Sequence, residues 1–204
     1  MATAATTTAA APGTRERLVR TASRLMQRGG YENTPVKQLV REAEATLGSL
    51  YHFFPGGKQE LAVAAIHFGD EEFAELLREG LAAHTDPAEA VESVATALAR
   101  ALEDSDWRDG CPVTATALET IGRLPELQAA CAQAFANWQH LVAAKLLASG
   151  YPESEARDLA ITVINTLEGA ETTSQVTMSR TPLLVAGRHL ARLVASYRDR
   201  PLAG

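Results

Sequence analysis

Between Gly29 and Lys58 the chain is interrupted at intervals too short for ordinary helices. Gly29-Gly30 closes one helical pattern, Thr34-Pro35 opens the next, Thr46 opens a third, and Pro55-Gly56-Gly57 ends it. Thr before a helix, Pro at its first position and Gly after its last are start and stop signals with known causes. The spacing predicts one short helix reaching about Ala43 and another of about eight residues after Thr46. Helices this short do not stand alone, because nucleation is costly. The amphipathic stretch from Arg15 to Gly29 supplies a partner. Thr14 is its expected cap, and Leu18, Ala22, Leu25 and Met26 share one face. Leu25, Tyr31, Val36, Leu39, Val40, Ala45, Leu50 and Phe54 complete a small three-helix core. One longer helix followed by two short ones across a tight turn is the layout of a helix-turn-helix head.

The rest of the chain stays helical in pattern. Helices are expected from Lys58 to about Ala83, Asp86-Pro87 to Glu103, Pro112 to Ile121 and Pro125 to Ala148. Two more follow, from Ser154 to Met178 and from Pro182 to Tyr197. With the head this makes nine helices, no strand and no repeat, an all-α protein. The 204 residues, 46% of them hydrophobic, suffice for a core. The expected division is a disordered Ala/Thr tail over 1–13, a head over 14–57 and a helical body over 58–204. Cys111 and Cys131 show no C-x-x-C spacing and make no disulfide framework. No apolar run approaches the ~20 residues of a membrane span. The start has no basic n-region, so a cytoplasmic protein without a membrane partner is expected.

Net charge is -6, which at first argues against nucleic acid. The distribution argues the other way. Residues 14–60 carry eight Lys/Arg and five Glu, a balance of +3 on a body of -9. A basic head on an acidic body fits a polyanion-binding module, and also chance surface variation.

The third helix carries the informative face. Leu50 and Phe54, four apart, share its buried side, and Leu47, Gly48, Tyr51 and His52 cover the opposite, wet side. A phenol and an imidazole can each donate to a phosphate oxygen. Gly48 lets a sugar-phosphate or base edge approach the backbone. Thr34 and Thr46 sit at expected helix N-termini, where free N–H groups favour a phosphate. Lys58 adds a cation at the start of the next helix, and Lys37 counts among the DNA-facing residues. The plainer reading makes Tyr51 a packing residue and His52 a solvated one. Pro55-Gly-Gly-Lys suggests a phosphate loop, but the P-loop spacing requires Gly where His52 stands.

Thr14-Arg-Glu-Arg-Leu, Gly-Gly-Tyr-Glu at 29–32, Thr34-Pro-Val and Leu50-Tyr-His-Phe-Phe-Pro together resemble the DNA-binding head of TetR-family repressors over about residues 14–66. Gly48 to Lys58, with Gly110-Cys-Pro-Val in the body, is similar to the lincomycin-resistance-regulator-like branch. The resemblance implies a homodimer that binds operator DNA through its first three helices. It places an inducer pocket among helices four to seven and the dimer contact on the last two. Thr46, Leu47, Gly48, Tyr51 and His52 would face the major groove, and Thr34 and Lys58 would touch phosphate. Three positions depart from the common pattern. The turn reads Ala43-Glu44-Ala45 where Gly is usual in the middle. A left-handed Glu44 would cost about 1 kcal/mol, or the turn takes another shape. Leu47 replaces a common Lys or Arg and can meet a thymine methyl but cannot bond guanine. Phe53 stands where many members carry His.

For the body, Phe68, Trp107, Cys111, Leu118, Phe135, Trp138, Glu168, Thr172 and Met178 are candidate pocket lining for a small, aromatic or drug-like inducer. Each also reads as plain core. Glu168 could meet a cationic or hydroxyl-bearing ligand, or stand at a solvated or interface position. Cys111 could sense oxidants or be inert. Leu183, Gly187, Leu190, Ala191 and Val194, with Leu159 and Val163, form a stripe suited to a four-helix dimer contact or to packing within the chain. The linear spacing shows no metal-ligand cluster, nucleophile elbow or dinucleotide loop, and His52, His67, His84, His140 and His189 are scattered. An enzyme is therefore not expected, nor is a cofactor or metal. A helical interaction module remains the alternative to a ligand-responsive repressor.

Overall fold

The computed structural model describes residues 12–198, and residues 1–11 and 199–204 lie outside the described residues. Most of the tail expected over 1–13 therefore falls outside them. The described residues form nine helices: α1 Thr14–Gly29, α2 Val36–Glu42, α3 Leu47–Phe53, α4 Lys58–Ala82, α5 Pro87–Asp104, α6 Pro112–Thr120, α7 Pro125–Ala148, α8 Glu153–Thr177 and α9 Thr181–Arg198. No strand occurs among them.

In the head, α1 buries Leu18, Val19, Ala22 and Met26 against α2, α3 and α4. Thr14 is the first helical residue rather than the cap; Gly13 precedes the helix without a side-chain bond. At α3 the cap is as expected, with the Ser49 N–H donating to the Thr46 hydroxyl at 3.0 Å. Leu50 and Phe54 are fully buried and anchor the short helices to α1.

The helix α4 links head and body. It packs on α1 and α6 near the head, and on α5 and α7 farther along. At α5, Pro87 occupies the first turn and the Ala88 N–H donates to the Asp86 carboxylate at 2.7 Å. The body core closes through α4 on α7, α7 on α8, and α9 on α5 and α8. Trp138, completely buried, sits at the α4–α7 contact.

The apolar stripe of the last two helices turns inward. Leu159, Val163, Leu183, Gly187, Leu190 and Val194 are buried within the single chain, and Ala191 is half-buried. A Cβ on Gly187 would lie 2.7 Å from that of Ala95, which shows how closely α9 lies on α5. Apart from half-buried Ala191, these side chains pack within the single chain, the second of the two arrangements the stripe suited. The reason is that α9 lies along α5 and spends its stripe there. Among the described residues no helix is long and apolar enough to cross a membrane.

Candidate nucleic-acid interface

The turn between α2 and α3 takes the left-handed form. Glu44 has φ 49°, its N–H donates to the Arg41 carbonyl at 3.2 Å, and the Ala45 N–H reaches back to Val40 at 2.8 Å. That pair of bonds closes α2 as a Schellman motif without its usual glycine. Arg17 braces the strained turn from α1: its Nε donates to the Ala43 carbonyl at 3.0 Å and its Nη2 to that of Glu44 at 3.2 Å. A guanidinium with several donors suits two neighbouring carbonyls. The sequence motif contained Arg17 but did not reveal this bracing role.

Held in this way, α3 presents Leu47, Gly48, Tyr51 and His52 together at the surface, with Leu47 45% and Tyr51 54% exposed. Phe53 is also at the surface, its ring edge-on to His52 at 4.9 Å. Lys37 on α2 is exposed. A Cβ on Gly48 would touch only the Thr46 hydroxyl, at 3.6 Å, so the fold itself does not demand glycine there.

Two expected phosphate contacts are placed differently. Thr34 is 1% exposed, and its hydroxyl donates to the Gly30 carbonyl at 2.8 Å. Pro35, not Thr34, precedes α2, so the Thr34 side chain ties the α1–α2 connection and does not face solvent. Lys58 is half-buried with its Nζ over the Tyr31 ring, 4.2 Å from the centroid. Burial lowers the Lys58 ammonium from its ordinary value, while Glu32 and Glu119 oppose the shift. Its charge is thus shared with the head's own aromatic and acidic groups.

The end of α6 grips the head. The Glu119 carboxylate accepts from the Glu32 N–H at 3.0 Å, and Arg123 pairs with Glu32 at 2.9 Å. On the approach to α6, Asp109 pairs with Arg28 at 2.6 Å. Gly30 makes room for this contact: its φ is 74°, and a Cβ there would lie 2.4 Å from a Glu119 oxygen. Sequence reading missed Asp109, Glu119 and Arg123. Their partners are distant in the chain, and no local spacing signals such pairs.

The candidate pocket residues do not converge as one lining. Leu118 and Met178 are 74% and 62% exposed, and Thr172 is exposed with its hydroxyl donating to the Glu168 carbonyl of its own helix. These three point away from the interior, because α6 and the end of α8 turn those faces outward. Phe68 lies half-buried under the Arg20 guanidinium, 5.3 Å from its ring centroid, at the α1–α4 contact. Phe135 and Trp138 do come together, with Phe73: Trp138 lies 4.4 Å from Phe73 and 5.3 Å from Phe135, and its indole N–H donates to the Asp70 carbonyl at 3.2 Å. Trp107 is half-buried in a left-handed turn after α5, at φ 62°.

Cys111 and Glu168 also meet. Cys111 precedes α6, and its sulfur accepts from the Thr114 N–H at 3.4 Å. The Thr114 hydroxyl donates to Glu168 across the α6–α8 contact. Burial pushes Glu168 above the usual carboxylate range, opposed by the bond from Thr114 and by the neighbouring Cys111 thiol. Glu171, one turn along α8, is pushed up to about 8 by burial and then by the charge of Glu168. Burial and these two acids hold the Cys111 thiol well above its ordinary value, so it is a weak nucleophile.

Residues 18–65 match the family described as bacterial regulatory proteins, tetR family. Residues 87–189 match that described as transcriptional regulator LmrA/YxaF-like, C-terminal domain. The chain is 34% identical over 180 residues to the uncharacterized HTH-type transcriptional regulator YxaF of Bacillus subtilis, covering 88% of this chain and 94% of that one. The chain belongs to the TetR family of transcriptional regulators. The HTH-type transcriptional regulator LmrA of Bacillus subtilis is also 34% identical, over 170 residues, 83% of this chain and 90% of that relative. A TetR transcriptional regulator from Chloroflexus aurantiacus superposes with TM-score 0.73 at 27% identity, covering 89% of this chain and 94% of that one. A regulator from Legionella pneumophila shares the fold, with TM-score 0.79 at 19% identity over 91% of this chain and 99% of that one. TetR-family members are transcriptional regulators, not enzymes, and the helix-turn-helix of α2 and α3 is the DNA-binding element that the family membership assigns.

Proposed function

We propose that the protein is a repressor that binds a near-palindromic operator as a homodimer and is released by a small aromatic or drug-like effector. The observation that carries this reading is the wet face of α3, where Leu47, Gly48, Tyr51 and His52 stand exposed on a helix braced by Arg17. Tyr51 and His52 donate to phosphate, Gly48 admits the backbone, and Leu47 meets a thymine methyl. Residues 14–57 serve as the DNA-binding head and 58–204 as the effector and dimer body. The outward faces of α8 and α9, which carry exposed Ile161, Val176 and Val185, supply the two-fold contact.

A dimer of this kind holds two recognition helices about 34–36 Å apart, one DNA turn. The effector lodges beside the aromatic groups of the body, Trp107, Phe135 and Trp138, and shifts α4 or α6. Both reach the head: α4 begins at Lys58, and the end of α6 holds Glu32. Release requires that the effector bind the non-operator state more tightly.

Footprinting on the DNA beside its own gene, followed by mobility shift across a salt series, tests the reading. A protected near-palindrome with affinity falling steeply as salt rises is the expected result. Binding that ignores sequence, or none at low salt, would exclude it.

A further inference from the structure

The cluster joining α6 to α8 has the composition of a metal site. One ligand atom each from Cys111, Glu168 and Glu171 lies within 4.8 Å of the others. Glu168 and Glu171 stand three apart on α8, so both carboxylates leave the same face of that helix. Cys111 meets them from the start of α6. Both glutamates are only 8% exposed. One Glu168 oxygen accepts from Thr114, but the other, Oε1, is buried with no hydrogen-bond partner.

A buried carboxylate oxygen without a partner is costly, and two buried carboxylates side by side are costlier still. Among the described residues, Thr114, Cys111 and the neighbouring carboxylate are the groups that shift the pair, and no Lys or Arg is among them. Protonation or a bound cation relieves that cost. The thiol decides which kind of cation: sulfur with carboxylate oxygen selects a borderline or soft divalent ion over calcium or magnesium.

We propose that Cys111, Glu168 and Glu171 form a binding site for a divalent transition-metal ion of the zinc class, which ties α6 to α8. Three protein ligands leave a fourth position of a tetrahedral ion open for water or for the nearby Thr114 hydroxyl. Thiolate and carboxylate bonds to zinc are about 2.3 and 2.0–2.2 Å, so the three groups close in by small side-chain rotations on binding. Binding expels the thiol proton and any carboxyl proton to solvent. The bound ion fixes the start of α6, whose far end holds Glu32 of the head. The site rests on α6 and α8 alone and does not depend on the operator reading.

Cobalt titration of the full-length, metal-free protein tests it, because a thiolate bound to cobalt gives an intense near-ultraviolet charge-transfer band. The expected result is a band that saturates at a single equivalent per chain and is displaced by zinc. Cys111→Ser abolishes it, Glu171→Gln weakens cobalt binding by at least about 10–100-fold, and Cys131→Ser changes neither. Circular dichroism confirms that each variant is folded. No band, a band that survives Cys111→Ser, or equal affinity in Glu171→Gln would overturn the site. Operator binding, measured on the same samples, separates the two proposals. Loss of the band with intact operator binding removes the metal site alone, and failed operator binding with an intact band removes the repressor reading alone.

Discussion

At the scale of single residues, Glu44 shows strain tolerated because neighbours brace it. A left-handed position costs a non-glycine residue about 1–2 kcal/mol, and Arg17 offsets this by bonding two carbonyls of the turn. Glu44→Gly should raise stability by about 0.5–1 kcal/mol, part of the gain being lost to unfolded-chain entropy. It should also tighten operator binding, because a negative charge beside DNA is removed. Urea unfolding and mobility shift check the two effects separately. Gly48 makes the opposite case. The space around it admits a methyl group, so Gly48→Ala should stabilise the exposed helix by up to about 1 kcal/mol. If DNA approaches the backbone there, operator affinity should nevertheless fall about tenfold or more, an energy of about 1.4 kcal/mol. A variant more stable and equally tight would remove Gly48 from the interface. The sequence showed the wet face of α3 plainly, since its period placed Leu50 and Phe54 on the other side. It did not show that Thr34 is buried, because Thr before Pro looks like a cap whichever way its hydroxyl turns.

At the scale of elements, caps and long-range pairs decide how helices meet. Asp86 caps α5 and also pairs with both terminal nitrogens of Arg198, at 2.9 Å each, at the end of α9. The Arg198 guanidinium is the main cause that lowers Asp86 from an ordinary 3.8 to about 2. A carboxylate lowered on folding stabilises the native state above its unfolded value, and that contribution disappears as pH falls from about 4 through about 2. The pair is partly solvated, so its worth is modest. Asp86→Asn, which keeps a capping side chain, should cost about 0.5–1 kcal/mol at pH 7. The gap from the unsubstituted protein should shrink as pH is lowered toward 2, as thermal melts at several pH values would show. Helix starts and stops were legible in such local chemistry: Asp86-Pro87, Pro112 and Pro125 all open helices as their residue types require. The partner of a helix face was not legible. The stripe on α9 suited a second subunit as well as α5, and its burial within the chain, with the close approach at Gly187, assigns it to α5.

For the molecule as a whole, a basic head is carried by an acidic body, and α4 and α6 connect them by different means. The helix α4 is continuous from Lys58 to the aromatic cluster. By contrast, α6 and the segments flanking it meet the head through charged and polar contacts at Glu119, Arg123 and Asp109. The division into head and body could be read from punctuation and charge, but these links could not. Arg28 and Asp109 are 81 residues apart, and nothing local marks either as a partner. The cluster at Trp138 has a further, optical consequence. Two of its contacts, the Phe73 ring and the Asp70 carbonyl, belong to α4, so the indole's surroundings change whenever that helix moves. In a Trp107→Phe background, Trp138 is the single tryptophan and can be excited selectively at the red edge of its absorption. Its fluorescence should be blue-shifted in the free protein and should shift or change in intensity when effector is added. Constant emission through a titration that releases DNA would mean that α4 stays still and that the signal travels through α6. The buried indole thus reports, with no label attached, whether the contact between α4 and α7 is disturbed when effector is added.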